Sequence, residues 1–173
     1  MQALQFWKTV VGDGADMLEE LTSLLDEHGV DYCVIGGQAV NAYAEPLVSL
    51  GLDIVIAVAD LPRVEPLLHQ RFRMTSFPHS INLSAVGSAL RVQIHTDPRY
   101  AAFVARASRM QVLGIMLPVA ALEDVLQGKV WAALDDQRRP SKRQKDLADI
   151  ARILETRPDL RDQVPEELRR RLL

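Results

Sequence analysis

The chain has 173 residues, of which 48% are hydrophobic, and a formal net charge of -3 at pH 7. This length suits one compact core, and the slight negative charge excludes a general attraction to nucleic acid or anionic lipid, so that any such contact requires a local basic patch. The single cysteine, Cys33, excludes an intramolecular disulfide, no apolar run approaches the ~18 residues of a membrane span, and the N-terminus lacks a signal-peptide pattern. We therefore expect a cytoplasmic protein with no membrane partner.

The first half of the chain alternates between helical and extended patterns. Apolar spacing predicts a helix over residues 15–28, which Gly29 is placed to end. The segment VDYCVIGG is typical of a short buried strand, and QAVNAYAE of a helix that begins directly after the glycine pair. A strand over residues 52–58 and a helix over about 61–70 follow.

The second half is predicted to contain paired strands and then helices. Residues 72–97 alternate in the manner of strands, PRYAAFVARAS favours a helix, and MQVLGIMLPV is extended. From Ala120 onward the pattern is helical, with a break at QRRPS, where Ser141 and Gln144 have the spacing of a capping box. The pattern predicts an α/β (α+β) fold: a mixed sheet flanked by helices in a single domain over residues 1–173, with a core at about 15–118 and C-terminal helices at about 119–173.

One carboxylate interrupts the hydrophobic strand LDIVIAV. Strand alternation places Leu52 and Ile54 on one face and Gly51 and Asp53 on the other, so Asp53 is expected to point away from the packed face at an edge or end of the sheet. A carboxylate among apolar residues is costly unless a partner or a metal compensates it. It either caps a neighbouring backbone group or belongs to a metal site.

The glycine pair Gly36–Gly37 lies at a junction between a strand and a helix. Such glycines let a phosphate approach the backbone amides of the helix N-terminus. The same pair also suits an ordinary tight turn, and the sequence alone favours the turn.

A lysine lies in the apolar stripe of the helix ALEDVLQGKVWAAL. Lys129 continues the helical period of that stripe, whose other members are Leu122, Val125, Leu126 and Ala133. Its aliphatic part either extends past the sheet edge so that the ammonium reaches solvent, or the ammonium meets an anion or a carboxylate.

The last long helix, in SKRQKDLADIARIL, carries Asp146 and Asp149 one turn apart beside its apolar stripe. The simplest interpretation pairs them with Lys142 and Lys145 at helical spacing. A basic run precedes them and is either a solvated face or a surface that attracts a triphosphate or RNA. Its members are Arg138, Arg139, Lys142, Arg143 and Lys145.

Together these features resemble the nucleotidyltransferase fold, and specifically the small bacterial AbiEii-like proteins related to toxins of toxin–antitoxin systems. The resemblance covers residues 30–155 and lies in VIGGQAVNAYAEP, LDIVIA, LEDVLQGKVWAAL and KDLADI. It implies a glycine turn that holds a triphosphate, an Asp-x-Asp strand that binds magnesium, a third acid on a later strand, and a helical lysine and aspartate. The implied catalytic residues are Asp53, Lys129 and Asp146, with Asp149 as a companion; the implied nucleotide-binding residues are Gly36, Gly37, Gln38, Ser49 and Lys129.

The chain departs from this pattern at two of the three acidic positions. The first Asp of the Asp-x-Asp pair falls on Gly51, and the third acid, in ALRVQIHTD, falls on Gln93. Asp97 shares the strand parity of Gln93 and is a displaced substitute if the strand continues that far, so the candidate metal ligands are Asp53 and Asp97. His95 lies between Gln93 and Asp97 on the same face, although magnesium prefers oxygen ligands.

Three functional hypotheses remain open. The first is a protein that binds a nucleoside triphosphate with Mg2+ and transfers a nucleotide to an RNA or protein hydroxyl, with a cognate antitoxin as partner. The second is a catalytically inactive family member that serves as a nucleotide- or protein-binding module, which Gly51 and Gln93 favour. The third is a purely structural domain in which Asp53 and Lys129 form a buried ion pair.

Overall fold

The computed structural model describes residues 14–172, which form seven α-helices and seven β-strands. The first half contains α1 Gly14–Glu27, β1 Tyr32–Ile35, α2 Gly36–Tyr43, β2 Gly51–Ile56, α3 Leu61–Arg71, β3 Arg73–Phe77, β4 Ser80–Ser84 and β5 Arg91–His95. The second half contains α4 Ala101–Ala105, β6 Ser108–Val112, β7 Ile115–Val119, α5 Leu122–Leu134, α6 Pro140–Thr156 and α7 Glu166–Arg169. Short 3-10 helices cover Val58–Asp60, Pro98–Tyr100 and Pro158–Gln163.

All seven strands form one mixed sheet in the order β3-β4-β5-β2-β1-β7-β6. The pairs β2–β5 and β1–β7 are parallel, and the remaining neighbours are antiparallel. This mixed sheet with flanking helices and a helical C-terminal part confirms the fold class predicted from the sequence. Within the described residues, no helix has the length and apolar character needed to cross a membrane.

The alternation of the central strands gives the sheet one apolar face and one polar face. Leu52 and Ile54 of β2 and Val92 and Ile94 of β5 are each at most 1% exposed. They belong to a single hydrophobic cluster that also contains the apolar residues of α1 and α3. The intervening residues of β2 and β5 therefore face the opposite side, where the chain places its polar groups.

Helices α5 and α6 pack against each other, and both contact α2. Their apolar faces, with Val125 and Leu126 on α5 and Leu147 and Ile150 on α6, are buried. Because these faces meet, the polar residues that interrupt them are brought together at the helix pair, beside the polar face of the sheet.

Three local expectations are wrong. Asp53 lies in β2, which is the fourth of seven strands, and so it is central rather than at an edge. Helix α2 begins at Gly36, so it includes both glycines, whereas the expectation was a helix that begins after them. Helix α6 begins at Pro140 after the N-cap Arg139, with no side-chain cap, so Ser141 does not form the expected capping box; proline fits the first helical position because its missing N–H has no partner there anyway.

Candidate functional site

A cleft lies between the polar face of the sheet and the helix pair α5–α6. It consists of two cavities that meet at five shared lining residues, Asp53, Gln93, Lys129, Arg138 and Asp146. The smaller, of about 280 Å³, includes Tyr100 and Trp131 and is called the aromatic cavity. The larger, of about 780 Å³, is called the basic cavity because Arg73, Arg91, Lys142 and Lys145 also line it.

Asp53 lies at the junction of the two cavities and is held by a histidine. Its Oδ1 is 2.9 Å from Nε2 of His95, and a third of the Asp53 side chain, 33%, is exposed. Burial raises the pKa of the Asp53 carboxyl. The interaction with His95 lowers this pKa, and the positive charges of Lys129 and Arg138 lower it further. These effects outweigh burial, so the pKa is lower than the ordinary value for aspartate. Asp53 is therefore an ionised carboxylate, with His95 as the partner that the sequence pattern did not assign to it.

The polar face of the sheet forms a row across four strands. Thr75 is opposite Asn82, Asn82 is opposite Gln93, and Gln93 is opposite Asp53. Gly51 is opposite Arg91 one step along the strands. Asp53 is the one carboxylate in these positions, because Arg91 is cationic and uncharged side chains or glycine occupy the others.

This donor set does not fit a site that clamps two metal ions. Among residues 14–172, no group of three His, Cys, Asp or Glu side chains is arranged to hold a metal. The one carboxylate on the sheet face, Asp53, already bonds His95. Magnesium takes oxygen ligands and strongly prefers carboxylates, so the protein atoms alone supply too few of them.

Asp97 lines the aromatic cavity with Asp53, but it does not extend β5. That strand ends at His95, so the condition under which Asp97 would substitute for the third acid is not met. The Asp97 carboxylate instead accepts from the backbone N–H of Arg99 at 3.1 Å and pairs with the Arg99 guanidinium at 3.2 Å. Its role as a metal ligand stays a prediction that would require these contacts to break.

Gly36 allows Asp53 to approach the start of α2. Gly36 has a φ of +68°, and a Cβ built there would lie 2.6 Å from Oδ2 of Asp53. Gly37 has no such constraint, because a Cβ there would meet nothing within 4 Å, and it lines the basic cavity. The first glycine is therefore required by geometry, whereas the second leaves open space beside the helix N-terminus.

Lys129 is buried and joins α5 to α6 through two carboxylates. Its Nζ lies 3.1 Å from Oδ1 of Asp146 and 2.8 Å from Oδ2 of Asp149, and the lysine is only 7% exposed. Burial lowers the pKa of Lys129, but Asp149 and Asp146 outweigh it, so the pKa is raised above 10.5. Lys129 is therefore fully charged at neutral pH.

Two arginines complete the charge cluster. Arg138 Nε is 2.6 Å from Oδ2 of Asp146, and Arg152 Nη1 is 3.0 Å from Oδ1 of Asp149. The expected pairing of these aspartates with Lys142 and Lys145 is wrong, as is an ion pair between Lys129 and Asp53. The reason is that α5 presents Lys129 to the buried side of α6, whereas Lys142 and Lys145 are exposed.

The basic cavity contains four cations without an acidic partner. Arg73 and Arg91 come from β3 and β5, and Lys142 and Lys145 come from α6. Among the described residues, none of the four has a carboxylate oxygen within 4.0 Å. Sequence reasoning had found the two lysines in the basic run but missed the arginines; Arg91 has the same strand parity as Gln93, which is the signal that could have found it.

The other two proposed nucleotide-binding residues, Gln38 and Ser49, both form hydrogen bonds to the backbone, and only Ser49 also lines the cleft. Gln38 is 4% exposed, lines neither cavity, and donates from Nε2 to the carbonyl of Ser49 at 3.2 Å. Ser49 lines the basic cavity, and its Oγ accepts from the N–H of Gly51 at 3.2 Å. Both residues thus shape the segment that leads into β2.

Comparison with known families identifies the chain. A family model described as "Nucleotidyl transferase AbiEii toxin, Type IV TA system" matches residues 38–172. The chain belongs to the AbiEii nucleotidyltransferase family. The match includes Asp53, Lys129, Asp146 and Asp149 and confirms the resemblance drawn from the motifs. A search of curated protein sequences found no significant match.

Solved structures agree on the fold. The lincosamide antibiotic adenylyltransferase LnuA, bound to lincomycin, has a TM-score of 0.54 and 14% identity over 79% of this chain and 95% of its own. The antibiotic-resistance factor ANT(2'')-Ia has a TM-score of 0.57 and 12% identity over 86% of this chain and 91% of its own. An antigenic nucleotidyltransferase-like protein from Paracoccidioides brasiliensis has a TM-score of 0.56 and 17% identity over 92% of this chain and 86% of its own. At such identities the similarity establishes the nucleotidyltransferase fold alone.

We expect Gly36→Ala to destabilise the protein by at least about 2 kcal/mol, because it forces alanine into a left-handed conformation and its Cβ against Asp53. Gly37→Ala is the matched control and should leave stability equal or slightly higher, since it meets open space in a helix. Urea unfolding of both variants measures the difference. Equal stability of the two variants would contradict the close approach of Gly36 and Asp53.

We expect Lys129→Met to lower the free energy of unfolding by about 3 kcal/mol, because Asp146 and Asp149 stay buried with one cation fewer. The lysine has a raised pKa, so its contribution is complete below pH 10.5 and is lost only as the pH rises through the folded-state pKa. Urea unfolding of wild type and variant should therefore differ equally at pH 7 and pH 9. A difference that shrinks between these pH values would argue against the ion cluster.

Proposed function

We propose that this AbiEii family member binds a nucleoside triphosphate in the cleft, with the phosphates in the basic cavity. The observation that carries the proposal is the set of four cations without acidic partners around one cavity of about 780 Å³. They come from opposite walls, Arg73 and Arg91 from the sheet and Lys142 and Lys145 from α6. A chain of phosphates between these walls would neutralise all four.

The surroundings of the cavity support an anionic ligand. The whole chain carries a net charge of -3, so this concentration of positive charge is a local feature of the cleft. Six cationic side chains and only two carboxylates, Asp53 and Asp146, line the basic cavity, and such an excess of positive charge raises the local concentration of anionic ligands. Gly37, in the first turn of α2, lines the same cavity, where the free N–H groups of a helix start favour an anion.

The donor set favours binding over transfer. Gly51 and Gln93 occupy positions where the family pattern has carboxylates, and Asp53 is engaged by His95. We therefore propose that magnesium enters only with the phosphates of the nucleotide, and that the chain does not transfer a nucleotide to an RNA or protein hydroxyl. In a toxin–antitoxin pair its role would then be nucleotide binding, and a cognate antitoxin is its proposed protein partner.

The direct test is thermal unfolding with ATP, GTP, CTP and UTP, each with magnesium and with EDTA. At a hundredfold excess over the dissociation constant, binding should stabilise the protein by about 2.7 kcal/mol. Incubation with an α-labelled triphosphate and total RNA tests transfer in parallel. No stabilisation by any nucleotide would overturn binding, and label on RNA or on the protein would overturn the absence of transfer.

We expect Lys142→Ala/Lys145→Ala to weaken triphosphate binding about tenfold, because two of the cations that face the phosphates are removed. Arg139→Ala is the control, since Arg139 is exposed on the same basic run but lines neither cavity. Isothermal titration measures both affinities. The control removes one charge instead of two, so a loss of about threefold or more in Arg139→Ala would show a diffuse charge effect instead of a site.

We expect Gly51→Asp/Gln93→Asp to make binding depend on magnesium. A side chain at Gly51 has room, because the nearest atom to its Cβ is Oγ of Ser49 at 3.8 Å. Magnesium should change the nucleotide affinity less than about threefold in the native chain and at least about tenfold in the variant, since two carboxylates join Asp53. Titrations with magnesium and with EDTA give this ratio.

The matched control is Thr75→Asp/Ser84→Asp, which adds the same charge to the basic cavity on the outer strands β3 and β4. Its magnesium dependence should stay at the native value. If both double variants respond alike, general charge explains the effect, and the placement of Gly51 and Gln93 beside Asp53 does not.

A further inference from the structure

The segment of residues 44–50 between α2 and β2, here called the strap, exposes aliphatic side chains. Leu47 is 57% exposed, Val48 67% and Leu50 40%. Exposed aliphatic side chains in a row leave apolar surface in water, which marks interaction sites when the surface is held in place.

The strap backbone is fastened to α2 and β5 by hydrogen bonds. Asn41 forms a reciprocal pair with Leu47, donating from Nδ2 to the carbonyl at 2.7 Å and accepting from the N–H at Oδ1 at 3.0 Å. Gln38 donates to the carbonyl of Ser49, and the N–H of Arg91 donates to the carbonyl of Leu50 at 3.0 Å. The strap therefore presents its side chains from a fixed backbone.

Arg152 connects the strap to the buried charge cluster. Its Nη2 donates to Oδ1 of Asn41 at 2.8 Å and to the carbonyl of Glu45. Its Nη1 lies 3.0 Å from Asp149, which in turn pairs with Lys129. The position of the strap is thus set by the same ion cluster that holds α5 against α6.

Two strap side chains supply the accessible aliphatic surface of the basic cavity. Val48 and Leu50 line this cavity beside its four cations. Its other aliphatic lining residues, Leu52, Leu83 and Val92, are each 1% exposed and belong to the core. Leu47 and Val86, which is 79% exposed, line neither cavity. A ligand in the basic cavity therefore meets aliphatic side chains mainly at Val48 and Leu50.

We propose that the strap holds the nucleobase of the bound nucleotide, with Val48 and Leu50 against the face of its ring. Asn41, Gln38 and Arg152 are positioning residues, because they hold the strap backbone and do not line the cavity. This inference rests on the proposed nucleotide binding and names which part of the ligand each wall receives.

The chemistry of a nucleotide matches this division of the cavity. Its phosphates are anionic, whereas the faces of its base are apolar and gain free energy when water is removed from them. The volume of about 780 Å³ lies within the range of cavities that enclose whole small-molecule ligands. A strap fixed before binding also avoids the ordering cost of a mobile loop.

The experiment compares ATP, GTP, CTP and UTP with inorganic tripolyphosphate, which carries the anionic charge without a base. Isothermal titration is carried out on the full chain, on Val48→Ser/Leu50→Ser, and on the control Leu47→Ser/Val86→Ser. The native chain should bind at least one nucleotide about tenfold or more tightly than tripolyphosphate. The strap variant should lose this advantage, with tripolyphosphate affinity unchanged, and the control should keep it.

The outcomes separate this inference from the proposed function. If the native chain binds neither tripolyphosphate nor any nucleotide, the proposed function fails, and the inference fails with it. If it binds tripolyphosphate as tightly as every nucleotide, or if the strap variant keeps the nucleotide advantage, the inference alone is overturned.

A second variant tests the positioning residues. Asn41→Ala removes both hydrogen bonds to Leu47 and the one that Asn41 accepts from Arg152, and it keeps the Val48 and Leu50 side chains themselves. It should reduce the ratio of nucleotide to tripolyphosphate affinity at least about threefold, because the strap is no longer fixed. A purely structural role would lower the free energy of unfolding without changing that ratio, and an unchanged ratio would overturn the role of Asn41.

Discussion

The cleft depends on one buried charge cluster, in which Lys129 of α5 is bound by Asp146 and Asp149 of α6. Three charged side chains inside a helix interface are costly to desolvate, and such a cluster is stable only when every member has partners. Arg138 and Arg152 supply the remaining ones. The same contacts direct Arg138 toward the junction of the two cavities and Arg152 toward the strap, so the helix interface also arranges the walls of the site.

The polar face of the sheet has a carboxylate at one of the three acidic positions of the family pattern, at Asp53. Gly36 makes room for Asp53, and Nε2 of His95 lies within hydrogen-bond distance of the Asp53 carboxylate. Gly51 and Gln93 contribute no charge beside it. The cations of the basic cavity, by contrast, have no internal partner within the described part of the chain. A site with few fixed anions and several free cations favours binding of an anion over the assembly of metal ions.

The aromatic cavity provides a different surface on the other side of Asp53. The guanidinium of Arg99 lies 4.7 Å from the ring centroid of Trp131 and 5.5 Å from that of Tyr100, and Phe103 stacks on Trp131 at 5.8 Å. A Cβ at Gly128 would lie 3.6 Å from the Tyr100 ring, which is an ordinary van der Waals contact, so this packing does not require glycine there. The aromatic rings thus form a rigid wall beside Asp53 that is chemically distinct from the basic cavity.

The sequence by itself determined the class of fold and the positions that break its patterns. Periods of two and of 3.6 residues in apolar side chains predicted the strands and long helices, because burial of one face imposes these periods on the sequence. The same periods singled out the glycine pair, Asp53, Lys129 and Asp146 as exceptions, and the motifs around them pointed to the family.

Only the tertiary structure decided which charges meet. His95 pairs with Asp53 across 42 residues, Lys129 with Asp146 across 17, and Arg152 with Asn41 across 111. Lys129, Asp146 and Arg152 each had several oppositely charged candidates nearby in the sequence, such as Lys142 and Lys145 for Asp146. Helical spacing ranks such neighbours equally, whereas the choice among them depends on which helix faces are buried against each other. Burial strengthens one pairing by removing water from it, and this is a property of the packed fold rather than of the local sequence.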